Sequence, residues 1–213
     1  MTLAPVQAPI VPVTRRPSSV GALGLGLALV AAVLPGCSDA PEPGARGTEL
    51  NGTWETVCFP NNGMNFARTT LQYTDLAFVG TFAEYDDAAC TRATHVSRWT
   101  GRAAVSGTTA AGETKLDLSF LSFTSTALTA TNAAFNNTNA YCGLTDWAPS
   151  VERNVLGAAC YGFAIPVGGV SLDIYRVDAG TLRFGQSPAI GRDLPESSRP
   201  TMLSAFQSFS RRR

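Results

Sequence analysis

The chain is poor in the side chains that group-transfer chemistry needs. Its 213 residues include one histidine, His95, and one lysine, Lys115, and only 15% are charged. Nucleophilic catalysis by serine or cysteine requires a base that a third group orients. No GxSxG context accompanies His95, which sits in a strand-like run between Arg92 and Arg98 and reads as structural. A phosphate-binding loop and a dinucleotide fingerprint are both missing, and no D-x-D-x-D run offers calcium ligands. Without a CxxC spacing, a lone histidine cannot complete a zinc site. Basic charge is short as well. With Arg15 and Arg16 set aside, 14 basic residues face 16 acidic ones, so the footprint of a nucleic-acid-binding protein is absent. A glycosidase would need two carboxylates facing one another across a cleft, whereas Asp86-Asp87 fits a turn. The inventory predicts a non-catalytic protein with no cofactor and no metal, and makes an esterase or glycosidase the least favoured reading.

No apolar run is long enough to span a bilayer as a helix. The longest, residues 20–34, has 15 residues against the roughly 20 required. Preceded by Arg15 and Arg16, it has the form of a signal-peptide apolar region. It ends in Leu34-Pro35-Gly36-Cys37, which resembles the lipobox of bacterial lipoproteins, although Pro35 departs from the small or β-branched residue usual at that place. The resemblance implies a leader over 1–36, cleavage before Cys37, and a lipid on Cys37. The alternative is an ordinary secretory signal cut near Ala40. Ser38 in place of aspartate implies the outer membrane, with the folded domain facing the periplasm or the exterior. Residues 37–48, rich in Pro, Gly, Ala and charge, read as a flexible tether.

The remainder, 49–210, suits a single domain with a substantial core. Four cysteines remain after Cys37, an even number that reads as two disulfides in an exported chain. Cys58, Cys90, Cys142 and Cys160 permit three connectivities, and pairing nearest neighbours favours Cys58–Cys90 with Cys142–Cys160. From Asn51 onward, Thr-, Val- and aromatic-rich segments alternate with turn signals about every ten residues. Strands are predicted over 52–58, 67–73, 76–85, 95–105, 114–124, 170–177 and 181–184, with a last one over 202–209. Leu116, Leu118 and Phe120 should share one face, and in the hairpin 172–184 Leu172 and Ile174 should face Leu182 and Phe184. Gly80 should allow a bend or a close backbone approach. The segment 129–141 predicts a short helix or ordered loop, and no strand is expected from there to about Val170. Many short strands at even spacing predict an all-β antiparallel barrel of about eight strands with one short helix or lid.

Asn51-Gly52-Thr53-Trp54 resembles the opening G-x-W strand of lipocalin-like barrels. Together with the Cys58 and Cys90 spacing, Cys142-Gly143-Leu144-Thr145-Asp146-Trp147, Asp173-Ile174-Tyr175-Arg176-Val177 and Arg199-Pro200-Thr201, it is similar to bacterial lipoproteins related to the adenomatosis-polyposis-coli-down-regulated family. The resemblance implies a β-barrel, a Cys58–Cys90 disulfide and an apolar pocket, and it supplies no catalytic residue. Trp54 is then expected to close one barrel end, and Phe82, Trp99, Leu118 and Phe120 to line an interior that takes a fatty acid or other lipid. The competing expectation is a solidly packed barrel that acts as a protein-interaction or structural envelope module through residues 124–169. The protein partner is unspecified. Arg211-Arg212-Arg213 reads as a solvated terminus without a role.

Overall fold

The computed structural model describes residues 47–61, 63, 65–160 and 163–212. The leader 1–36, the lipid-attachment candidate Cys37 and most of the tether lie outside them. Residues 41–213 form a compact unit that contains its own barrel, core and both disulfides. Among the described residues thirteen strands run in chain order: β1 Gly52–Glu55, β2 Phe59–Asn61, β3 Asn65–Thr74, β4 Ala77–Tyr85, β5 Ala93–Thr108, β6 Thr114–Ala127, β7 Glu152–Asn154, β8 Ala159–Cys160, β9 Phe163–Ala164, β10 Val170–Asp178, β11 Thr181–Gly185, β12 Ala189–Gly191 and β13 Leu203–Arg211. One α-helix, α1, spans Ala130–Thr138.

Eight of the strands close a barrel. Its circuit is β1-β3-β4-β5-β6-β10-β11-β13, and β13 returns to β1; every neighbouring pair is antiparallel. Closure leaves the eight strands of the circuit without an edge strand. These eight are the strands that the sequence predicts, with ends shifted by a few residues. The first is shorter than 52–58, because the chain turns after Glu55 into β2, which pairs with the start of β3. Three short strands also occupy the stretch where none is expected. β7 lies against the end of β6, while β8 and β9 form a separate ribbon.

The turns at Asp75-Leu76, residues 109–113 and Ala179-Gly180 share one end of the barrel with the start of β1 and the finish of β13. A 3-10 turn, Thr48–Leu50, crosses this base. Gly47 is buried against Leu76 and Val105, Asn51 Oδ1 accepts from the Asp75 amide at 3.0 Å, and Tyr175 donates its hydroxyl to Glu49. The ordered domain therefore takes in Gly47 and Thr48, which the sequence assigns to the tether. Leu50 and Trp54 are fully buried there, and the indole N–H of Trp54 donates to the Leu50 carbonyl. Arg211 lies over the Trp54 ring at 5.0 Å and donates to the carbonyls of Glu49 and Asn51. The C-terminal arginines are thus not all idle: Arg211 covers the base.

Above the base, Tyr73, Phe78 and Phe120 meet through ring contacts of 5.9 Å, and Leu116, Leu182 and Phe209 complete a lower core. A bulge governs the upper half. Thr100 pairs with Ser122 but Gly101 pairs with Phe120, so Leu121 is the extra residue and is 66% exposed. The added residue re-phases β6, and Phe120 and Phe123 both turn inward.

The hairpin β10–β11 departs from expectation. Tyr175 pairs with Phe184 and Val177 with Leu182, so Leu182 and Phe184 share the inner face with Tyr175, not with Leu172 and Ile174. Those two are buried on the outer face. There the segment 186–202 folds back along the wall: Arg199 donates to the carbonyls of Leu116 and Asp173, and Glu196 meets Lys115 at 2.9 Å. Arg199 and Lys115 together hold the Glu196 carboxyl down at about 2. The residues that face inward on β10 are Ser171, Asp173 and Tyr175.

Candidate functional site

The far end of the barrel is open in part and holds a cavity of about 530 Å³. β4, β5 and β6 carry its wall. On β4 the residues of even number point inward, so Phe82 and Glu84 line the cavity above Phe78 and Gly80. On β5 the inward residues are Ser97 and Trp99, and on β6 they are Leu118, Phe120 and Phe123. Ser171 and Asp173 supply the β10 wall, and Asn61, Pro188 and Ile190 stand near the rim. The four residues predicted to form the interior set, Phe82, Trp99, Leu118 and Phe120, come together here. Trp54 does not join them, because it sits in the base.

Gly80 makes room for Trp99. A Cβ at position 80 would lie 2.1–2.4 Å from three atoms of the indole, so only glycine lets the ring rest on the β4 backbone. The close approach expected of this glycine is therefore made by an aromatic ring that lines the cavity.

The stretch between β6 and β10 covers part of the opening. Thr129 caps α1 by accepting from the Asn132 amide at 3.1 Å. Beyond the helix, Tyr141 and Trp147 stack at 5.5 Å, and Asn137 brackets Trp147 by bonding both its amide and its carbonyl. The Cys142–Cys160 disulfide ties this cover together, and Tyr141, Cys160 and Ile165 face the cavity. Cys58–Cys90 joins the chain after β1 to the β4–β5 turn, which the Asp87 carboxylate organises through the amides of Ala89, Thr91 and Arg92. Both disulfides follow the nearest-neighbour pairing.

His95 fastens the cover to the wall. Its Nε2 lies 2.6 Å from Ser125 Oγ and its Nδ1 2.9 Å from Asn132 Oδ1 on α1. Tyr141 meets the imidazole edge-on at 5.4 Å. A serine, an imidazole and an amide oxygen in a row have the order of a catalytic relay. Ser125 is 1% exposed, and the row ties β5 and β6 to α1 as a latch.

Two acids distinguish the cavity from a plain apolar pouch. Glu84 accepts from Asn61 Nδ2 at 2.8 Å. Asp173 is only 4% exposed, and its Oδ1 accepts from the amides of Ile174 and Gly185 at 2.7 and 2.9 Å. Its other oxygen has no hydrogen-bond partner among the described residues. A Cβ at Gly185 would come within 2.6 Å of Asp173 Oδ1, so glycine is needed beside the carboxyl. Burial pushes the Asp173 carboxyl up to about 7, against the pull of the two amides and of Arg199. Sequence reasoning missed both acids, although Glu84 has the strand parity of Phe82. Among the described residues no three His, Cys, Asp or Glu side chains converge as metal ligands. The sequence matches no protein-family model and no curated protein.

Proposed function

We propose that this protein is a lipid-anchored component of the bacterial envelope whose barrel binds an apolar or amphipathic small molecule without transforming it. The observation that carries the reading is the upper cavity of about 530 Å³, walled by Phe82, Trp99, Leu118 and Phe120 from three consecutive strands. That volume is in the range of small-molecule sites, and its mainly aromatic and aliphatic lining with a few polar groups is typical of them. The lower half of the barrel is filled by side chains, so a ligand would occupy the upper half alone. Anchoring rests on the Leu34–Cys37 motif and the apolar run before it.

Native mass spectrometry of the oxidised protein from a bacterial envelope tests the binding. An adduct of lipid or other small-molecule mass, lost when Ser97→Trp fills the cavity without adding charge, is the expected result. A bare mass, with no uptake of added apolar probes, refutes the binding and leaves the interaction module. Anchoring is tested by metabolic labelling with an alkyne-bearing fatty acid, which should mark the wild type and not Cys37→Ser.

A further inference from the structure

We propose that the upper cavity selects organic cations, meaning an ammonium-bearing head on an apolar body, and discriminates against fatty-acid anions. This inference rests on the reading of the cavity as a ligand site and names the chemical class it takes. Its lining carries two carboxyl groups, Glu84 and Asp173, and among the described residues that line it there is no Lys, Arg or His. The nearby arginines face elsewhere. Arg199 is committed to Glu196, Asp117 and two carbonyls on the outer wall, and Arg192 donates to the Val167 carbonyl.

The other half of the recognition is aromatic. Phe82, Trp99, Phe120, Phe123 and Tyr141 enclose the space from β4, β5, β6 and the cover. Ring faces carry negative electrostatic potential, and walls of this kind with a nearby carboxylate hold ammonium groups. A carboxylate head would instead meet two acids and several ring faces with no cation to receive it. Burial of such an unpaired charge is strongly unfavourable. Asp173 is placed to meet a ligand: two amides occupy one oxygen, while the other is without a partner among the described residues. Glu84 stands on the same wall as Phe82, with Asn61 holding one of its oxygens.

The test compares three probes of equal chain length, octyltrimethylammonium, octanol and octanoate, by calorimetric titration of the oxidised unit 41–213 at pH 8. This unit holds its own core and both disulfides, so it is the part to use. Octyltrimethylammonium should bind at least about tenfold more tightly than octanoate, with octanol between them. Glu84→Gln and Asp173→Asn keep the shape and the hydrogen-bond acceptors. Each should weaken cation binding by about tenfold and leave octanol binding unchanged. A merely structural effect of either substitution would move octanol as well, and that outcome would count against the assignment. Octanoate binding as tightly as the cation overturns the charge selection while leaving the cavity as an apolar site. Failure of all three probes overturns both the selection and the reading beneath it.

Discussion

Replacing Asp173 by asparagine should change how the stability of the barrel depends on pH. The carboxyl is 4% exposed, and burial raises it from an ordinary 3.8 to about 7. A group raised in the folded state binds more protons there than in the unfolded chain at every pH between those two values. Its contribution is therefore fully present below about pH 4 and is lost as pH rises through 7. At 1.36 kcal/mol for each pH unit, the shift amounts to about 4 kcal/mol between acid and pH 8.5. Asparagine keeps an oxygen for the amides of Ile174 and Gly185 and carries no charge. The groups that act on this carboxyl electrostatically, Arg199 from the outer wall and Tyr73 from within the barrel, are common to both proteins. Urea unfolding of both proteins at pH 4.5, 6, 7.5 and 8.5 isolates the group, because other carboxylates, Glu196 among them, cancel in the difference. Relative to the variant, the wild type should lose about 3–4 kcal/mol across that range. A difference that stays flat with pH would refute the argument, since it would mean that the carboxyl is solvated or paired in the folded protein.

Three further substitutions probe separate parts of the structure. Gly80→Ala drives a methyl group into the Trp99 ring. It should cost about 1–3 kcal/mol and alter the near-ultraviolet circular dichroism, whereas an unchanged spectrum would show that the indole does not rest on the β4 backbone. Arg211→Ala uncovers Trp54 and leaves two carbonyls of the base unpaired, for a loss of about 2 kcal/mol by urea unfolding; wild-type stability would remove Arg211 from the closure. His95→Ala removes the close partner of Ser125 and the imidazole partner of Asn132 and should cost about 2 kcal/mol. Amide exchange should then accelerate in α1 more than in β4 and β5, and equal acceleration throughout would refute the latch.

What the sequence revealed depended on length and period. The eight barrel strands are mostly long enough to show alternation, and Leu116, Leu118 and Phe120 fall on the inner face as alternation requires. β2, β7, β8, β9 and β12 have two or three residues each, too few to display a period. The two inward acids differ in how far the sequence exposes them. Glu84 continues the parity of Phe78, Gly80 and Phe82, so its placement was legible from β4 alone. Asp173 was not, because Leu172 and Ile174 are the more apolar pair and claim the core by composition. Burial of the outer face beneath residues 186–202 defeats that inference, since both faces of β10 are then covered. Arg211 was overlooked because three consecutive arginines near a chain end carry no period. Its task depends on a tryptophan 157 positions earlier.

The chain enters the barrel at Gly47, at the base, and finishes there too, where the Arg212 amide bonds the Thr53 carbonyl. The mouth is at the opposite end. On the proposed anchoring, the lipid-bearing part of the chain would join the barrel at its sealed end, and the doorway would be free of its own mooring. Such a vessel would load and empty on the side away from its anchor. Its traffic would run through the aqueous space or a docked second protein, and the bilayer that holds it would serve as a berth and not as the source of its cargo.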